Sequence, residues 1–351
     1  MRVVDVREIP ENAVLGRTVS NDSGVVLLYA GSVITEEIVE KLIDNNIHSV
    51  WISMKNKEAD TFSSEAIESD IIDCVTHAIK ARIRFNDDTE MKMVSEHAFK
   101  IIRKIITSEE VMSCMVNVKK RSIDIYSHMI NVAILSVIMG IKFDITEEEL
   151  DYIGLGALFH DIGMCDLEIK YNDVEIDKLS SQEKMVYRKH VIDGYEMIHN
   201  HDWIPEKVKL IVLSHHERED GSGYPFHKKS ERIPIEVKIV AICDFFDELV
   251  NGIGYKKRKV HEVVEYLRTA GAYLFDYDVV TKIISNIAWF PNGCKVLTSD
   301  GDIAEVMSQN KGLPDRPIIR LLMDSMGNPY KENITKDLTE YLTVFIMDTV
   351  E

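Results

Sequence analysis

The sequence is poor in cysteine, in positive charge and in long apolar runs, and each shortage excludes something. Its five cysteines (Cys74, Cys114, Cys165, Cys243 and Cys294) stand far apart and form no C-x-x-C pair. That pattern fits reduced packing residues in a cytoplasmic protein rather than a disulfide framework. Basic residues number 41 against 59 acidic ones, a net charge of −18 over 351 residues. A broad nucleic-acid face needs a basic stripe, so DNA or RNA duplexes are not expected partners. A small phosphate-bearing ligand is still allowed, because bound metal ions can be the largest local charges in a site. The longest apolar stretch, Met129 to Ile141, is broken by Asn131 and Ser136. It falls short of the roughly 18 to 20 residues that a membrane span requires. The first residues, MRVVDVREIPENAV, carry charge too early for a secretory signal. Repeats, low-complexity tracts, a haem motif and a receiver-type phospho-acceptor pattern are all missing.

What is present reads as a mainly α chain flanked by small β-rich modules. Residues 1–60 hold short β-branched runs separated by Asn-Asp-Ser-Gly and Ala-Gly turns, with one helix capped at Thr35. Residues 61–107 begin as a polar linker and continue as charged connecting helices; a homodimer through them is left open, since no heptad pattern supports it. Helical periodicity dominates 108–290, with helices expected at Ile125–Gly140, from Thr146 to His160, and over Ser181–Asn200, Pro205–His216, Ile235–Val250, Val260–Thr269 and Tyr277–Ala288. From 291 to 351 short β-like runs with glycine turns return.

The chemistry-bearing residues lie in the helical part. Asp124 and His128 stand four apart on one predicted helix face. His160-Asp161 ends the apolar run Leu155-Gly-Ala-Leu-Phe. His190 follows thirty residues later, then His215-His216-Glu217, then Asp244 within Cys243-Asp-Phe-Phe-Asp. This is an imidazole and carboxylate set with no thiolate, better suited to iron, manganese, cobalt or nickel in octahedral sites than to structural zinc. Each residue alone has an ordinary explanation, such as a helix end, a cap or a solvated face. His48, His77, His97, His199, His201, His227 and His261 are read that way. The ordered series differs because it runs straight into Glu219-Asp220-Gly221-Ser222-Gly223-Tyr224-Pro225, where two glycines and a proline dictate a tight loop.

Together the His-Asp pair, His-His-Glu, Asp-Gly-Ser-Gly-Tyr-Pro and the later Asp-Phe-Phe-Asp-Glu-Leu resemble the HD-GYP family of bacterial cyclic-dinucleotide phosphodiesterases. The resemblance covers about residues 100–290. It implies an all-helical HD-type metal-binding domain and metal ligands at His128, His160, Asp161, His190, His215, His216 and Asp244. His160 and Asp161 would be central to catalysis, with Asp161 bridging two ions. Iron or manganese is the implied metal. A third ion bound in some members would involve Asp124, which is one methylene shorter than the family's glutamate. The implied reaction is hydrolysis of cyclic di-GMP to pGpG, and then GMP, by a metal-activated hydroxide. Arg218, Gly221, Gly223, Tyr224 and Pro225 would shape the substrate pocket, and signalling proteins are conceivable partners.

Two departures qualify this expectation. The family's H-D-I-G-K is His160-Asp161-Ile162-Gly163-Met164 here, so a phosphate-facing lysine is lost. Its Arg-Pro-Tyr is Ile253-Gly254-Tyr255, followed by Lys256, Lys257 and Arg258 as candidate replacements. The alternatives are therefore a catalytically weak receptor for cyclic dinucleotides and a phosphodiesterase for another one, such as a mixed cyclic GMP-AMP.

Overall fold

The computed structural model describes residues 2–10, 13, 15, 19–20, 26–28, 34, 36–45, 47–52, 125–164 and 175–350. The expected linker and connecting helices of 61–107, Thr35, Asp124, Cys74, Cys114 and Cys165 lie outside these residues. The chain divides into two compact units, Met1–Ala98 and Phe99–Glu351.

In the first unit β1 (Arg2–Asp5) pairs antiparallel with β4 (Ser49–Ile52), in register Arg2 to Ile52. A second short antiparallel pair joins β2 (Val19–Ser20) to β3 (Val26–Leu28), and α1 (Glu36–Asp44) lies between β3 and β4 in the chain. Val6, Leu15, Ile34, Leu42, Val50 and Ile52 form its core.

The described part of the second unit begins with helices, several of whose starts follow from their capping residues. The first, α2 (Ile125–Lys142), buries residues over most of its circumference, as an apolar helix at the centre of a bundle must. The next, α3 (Glu147–Phe159), starts where Thr146 accepts the backbone N–H of Glu149. A reciprocal Ser180–Glu183 capping box opens α4 (Ser181–Ile198). Behind Pro205 comes α5 (Glu206–Ser214), then α6 (Ile235–Asn251), which begins after Pro234 and stops at Gly252 with φ +79°. Only glycine takes that left-handed C-terminal position without steric cost. The central helix α6 packs against α2, α3 and α5. The bundle closes with α7 (Val260–Tyr266) and α8 (Tyr277–Asn286).

Several helices end earlier than their periodicity implies. The fourth stops at Ile198 rather than Asn200, and α5 stops at Ser214, releasing His215 and His216 from regular helix. Val260–Thr269 is α-helical only to Tyr266, after which Leu267–Gly271 widens into a π turn. The last helix ends at Asn286, not Ala288.

The remaining chain is a five-stranded antiparallel sheet of β5 (Lys295–Thr298), β6 (Ile303–Asn310), β7 (Leu313–Met323), β8 (Thr335–Asp337) and β9 (Ile346–Val350), in the order β8-β7-β6-β5-β9. Phe290, Val296, Ala304, Val306, Ile319, Leu321, Leu338 and Val344 fill its core. The sheet is tied to the helices where Trp289 N–H donates to the Pro314 carbonyl and the Lys259 ammonium meets Asp348 at 2.7 Å. The architecture is mainly α with small flanking β modules. Among the described residues no helix is long and apolar enough to cross a membrane.

Candidate metal centre

Five segments converge on one buried point. His128 comes from α2, His160 and Asp161 from the end of α3, His190 from the middle of α4, His215 and His216 from the end of α5, and Asp244 from α6. All seven side chains are buried. Two glycines make the convergence possible. A Cβ on Gly163 would stand 2.2 Å from the His190 carbonyl oxygen and 2.6 Å from the Gly194 nitrogen. The turn Ile162–Met164 therefore lies directly on the α4 backbone, which brings Asp161 beside His190. A Cβ on Gly156 would meet the Ile211 side chain at 2.6 Å, so Ile211 of α5 packs directly onto the α3 backbone.

The imidazoles are oriented by one repeated device. The Nδ1 of His160 lies 2.6 Å from the Ala157 carbonyl, that of His190 2.6 Å from Tyr187, and that of His215 2.9 Å from Val212. A carbonyl can only accept, so each Nδ1 carries the proton and each Nε2 presents a lone pair. His128 does the same with a carboxylate, its Nδ1 standing 2.8 Å from Asp247 Oδ2.

The Nε2 atoms then face one another. His128 Nε2 is 3.2 Å from His160 Nε2, and His190 Nε2 is 3.3 Å from His215 Nε2. Nitrogens so placed repel unless a cation, whether a proton or a metal ion, lies among them. The carboxylates complete the arrangement. Asp244 Oδ1 is 3.1 Å from His128 Nε2 and 3.4 Å from His160 Nε2. Asp161 faces both sides: Oδ2 lies 3.6 Å from both His128 and His160, and Oδ1 lies 3.1 Å from His190 and 3.5 Å from His215. Asp161 Oδ1 and Asp244 Oδ2 are buried with no hydrogen bond of good geometry. Two groups of donor atoms result, His128–His160–Asp244 and Asp161–His190–His215–His216, each set lying within 4.8 Å. Buried acceptors without donors beside convergent lone pairs are the donor set a divalent cation requires.

The electrostatics agree. Burial disfavours charge on Asp161, yet His160 and His190 hold its carboxyl well below the usual range. Burial also opposes ionisation of Asp244; contact with His128 and His160 reverses it and raises both imidazoles in return, a balance in which protons occupy the place a metal ion would take. Burial, reinforced by His215, pushes His216 well below the ordinary imidazole value, leaving it neutral and able to donate a lone pair.

The loop after His216 is built against this cluster. Both oxygens of the Glu217 carboxylate accept backbone N–H groups, from Phe226 at 2.7 Å and Lys228 at 2.8 Å. Gly223 is pressed onto the preceding turn, where a Cβ would lie 2.3 Å from the His216 carbonyl. Gly221 takes φ +82°. The Tyr224 ring stacks on His216 at 4.7 Å between centroids. Its neighbour Pro225, joined by a cis peptide, lines the adjoining groove. Arg218, expected as a phosphate contact, turns inward instead. Its Nη1 donates to the His215 and Glu217 carbonyls, and its guanidinium lies over Phe275 at 4.8 Å. Met164 packs in an apolar cluster with Tyr187, Ile125, Ile176, Leu179 and Tyr224. Of the candidate replacement cations, Arg258 rests on the Tyr266 ring while Lys256 and Lys257 are exposed.

Sequence reasoning passed over Asp247 and Glu248. Both were quoted within the Asp-Phe-Phe-Asp-Glu motif, and their three- and four-residue spacing from Asp244 puts them on its helix face. Glu248 accepts the Tyr187 hydroxyl at 3.0 Å and forms a third donor group with His216 and Asp244. Burial and the charge of Asp244 push its carboxyl well above the usual range.

Known proteins match in the same places. The family described as HD domain matches residues 100–279, and a KOW domain associated with HD domain matches residues 295–351. The chain is 32% identical over 155 residues to the cyclic di-GMP phosphodiesterase response regulator RpfG of Xanthomonas campestris, covering 44% of this chain and 41% of that protein. It is 25% identical over 211 residues to the cyclic di-GMP phosphodiesterase PA4108 of Pseudomonas aeruginosa, covering 60% and 50% respectively. The chain thus spans about half the length of these curated relatives. Among solved structures, Bd1817, an HDG"Y"P protein from Bdellovibrio bacteriovorus, shares the fold with a TM-score of 0.57 and 17% identity, over 81% of this chain and 98% of that one. On its motifs, its fold and these matches, the chain belongs to the HD domain family and is of the HD-GYP kind.

Proposed function

We propose that the protein is a metal-dependent phosphodiesterase that opens cyclic di-GMP to pGpG. The observation that carries this is the position of Asp161, whose two oxygens face two separate groups of imidazole lone pairs. Such an arrangement would suit a pair of divalent ions held on either side of Asp161. His128, His160 and Asp244 would hold one ion, and His190, His215 and His216 the other. When bound, such ions polarise a phosphodiester and make water acidic enough to act as a nucleophile near neutral pH. Iron or manganese suits the oxygen and nitrogen donors.

The chain's own residues do the rest. The Nδ1 hydrogen bonds fix His128, His160, His190 and His215 before substrate arrives, and His216 is held by its stack on Tyr224, so little reorganisation is needed at the moment of reaction. Tyr224, stacked on His216, walls one side of the centre, and Glu217 holds the loop that carries it. Glu248, whose carboxyl is pushed above the usual range by burial and by the charge of Asp244, accepts the Tyr187 hydroxyl beside the cluster. The matched relatives that act on cyclic di-GMP are complemented by one from Vibrio cholerae named a 3'3'-cGAMP-specific phosphodiesterase, 32% identical over 152 residues. Mixed cyclic GMP-AMP is therefore the substrate to test in parallel.

A second reading, a cyclic-dinucleotide receptor with little turnover, is favoured by Met164, whose side chain is buried among apolar groups where the family carries a lysine. The deciding experiment is anaerobic reconstitution with Fe(II) or Mn(II), followed by turnover of both dinucleotides with an Asp161→Ala control. Product that disappears in the control supports the enzyme. A metal-loaded protein that binds cyclic di-GMP without releasing product supports the receptor.

A further inference from the structure

Beside the metal centre, on the outer side of Tyr224, lies a groove of about 480 Å³ whose floor is one face of α4. That size is within the range of pockets that take small organic ligands. Lys184, Met185, Arg188 and Ile192 recur at the three- and four-residue intervals of a single helix face, opposite Tyr224 and Pro225. Three features of this face ask for an occupant. Met185 is 71% exposed and Ile192 42%, an apolar surface on either side of a cation. Arg188 is exposed and, among the described residues, pairs with no carboxylate, whereas Lys189 is joined to Asp193 at 2.6 Å and Lys184 donates to the Asp177 carbonyl. The Arg188 guanidinium also lies over the Tyr224 ring at 5.4 Å from its centroid, while that same ring stacks on His216. One aromatic ring thus joins the His216 imidazole to a guanidinium that, among the described residues, has no carboxylate partner, on a half-apolar shelf.

We propose that this groove binds the distal half of a cyclic dinucleotide, with Arg188 receiving the phosphate that is not being cleaved and the Met185–Ile192 surface receiving a nucleobase. The inference rests on the substrate class proposed above and identifies a substrate-binding residue for it. A cyclic dinucleotide carries two phosphodiesters, so one at the metal centre leaves a second to be neutralised nearby. The usual sources of charge are gone from this chain, since Met164 and Ile253-Gly254 stand where cations were expected and Arg218 is turned inward. A guanidinium matches a phosphate with two parallel donors, which a lysine cannot do. Thioether and branched aliphatic groups provide a sequence-tolerant surface for a base.

The test is equilibrium binding of cyclic di-GMP to the metal-loaded full chain by titration calorimetry, with turnover measured on the same samples. Arg188→Glu is expected to raise Kd by roughly tenfold or more, and Arg188→Lys by less, because the charge is kept but the fork is lost. Metal content should not change, since Arg188 lies over Tyr224, which is not one of the candidate metal ligands. Lys331→Glu, an equal change of charge at an exposed position of the C-terminal sheet, should leave Kd within about twofold, as screening predicts for a remote surface charge. An Arg188→Glu protein that binds within twofold of wild type overturns the groove while leaving any observed hydrolysis in place. Arg188-dependent binding without turnover upholds the groove and removes the hydrolase reading. Wild-type protein that neither binds nor cleaves overturns both. If Arg188→Glu alters only the sedimentation mass, the face is a contact between protein copies and the proposal falls.

Discussion

His128 is held by Asp247 through its outer nitrogen, Nδ1 to Oδ2 at 2.8 Å, so that its inner nitrogen faces the metal centre. Both residues are buried, and they stand 119 positions apart in the chain. A carboxylate behind a ligating imidazole fixes the tautomer and makes the other nitrogen a better donor. Asp247→Asn keeps the shape and loses the charge. It is expected to weaken metal binding by roughly 10–100-fold, as such partners do elsewhere. Competitive chelator titration of the loaded protein measures this, and an affinity within a factor of two of wild type would refute the assignment.

Gly163 makes a second prediction. Its Cα lies against the backbone of α4, and an added methyl would stand 2.2 Å from the His190 carbonyl. Neither partner is a flexible side-chain tip, so Gly163→Ala must push the Asp161 turn away from His190. Overpacking of this kind costs about 1–3 kcal/mol. The larger consequence is geometric: the Asp161–His190–His215–His216 group should lose its ion while His128–His160–Asp244 keeps most of its affinity. Metal stoichiometry by mass spectrometry, read alongside the melting temperature of the metal-free protein, distinguishes this from general unfolding. Full stoichiometry at wild-type stability would show that the contact is not needed.

These two residues also mark what the sequence could and could not reveal. Among the candidate ligand histidines, His128 and His160 stand out as polar residues in or ending apolar helices, whereas His190 and the His215–His216 pair are picked out by their motifs, and the structure brings them together. Asp247 was visible as the fourth residue of Asp-Phe-Phe-Asp, yet its partner lies on another helix, and no local pattern identifies it. Gly163 looks like any turn glycine until the helix 27 residues later is seen resting on it. Arg188 is one of many charges on an exposed helix face, and only the crossing of α4 over the Tyr224 loop singles it out. Helix centres were legible from periodicity. Their ends were not, because caps and tight backbone crossings decide them.

Glu217 yields a third prediction. Each carboxylate oxygen accepts one backbone N–H across the Tyr-Pro loop, from Phe226 and Lys228. Glu217→Gln replaces one acceptor with an amide that can only donate, so one buried N–H is left facing another donor. Losing a hydrogen bond to a charged group costs about 1.5–3 kcal/mol. The loop should loosen while the metal remains, giving faster limited proteolysis between Gly221 and Lys229 and a raised KM for cyclic di-GMP. Unaltered cleavage kinetics would mean that Glu217 does not hold the loop.

Met164 gives the fourth, and it tests the departure from the family directly. The residue is 8% exposed and clusters with Tyr187, and Ile125, Ile176, Leu179 and Tyr224 pack against that pair. Restoring lysine at this position therefore places an ammonium among apolar and aromatic groups when no ligand is present. Burying a polar group without a full set of partners costs about 1–3 kcal/mol, so Met164→Lys should lower the melting temperature of the free protein. Met164→Leu, which conserves volume, should cost less than about 1.5 kcal/mol. A bound phosphodiester would give the new ammonium its counter-charge, and a ligand that binds only the folded state stabilises it in proportion to its affinity. Cyclic di-GMP is therefore expected to raise the melting temperature of Met164→Lys by more than it raises that of wild type or Met164→Leu. Thermal melts of the three proteins with and without the dinucleotide make the comparison. An equal ligand-induced shift in all three would mean that position 164 does not face the substrate, and that its methionine is a packing residue with no bearing on turnover.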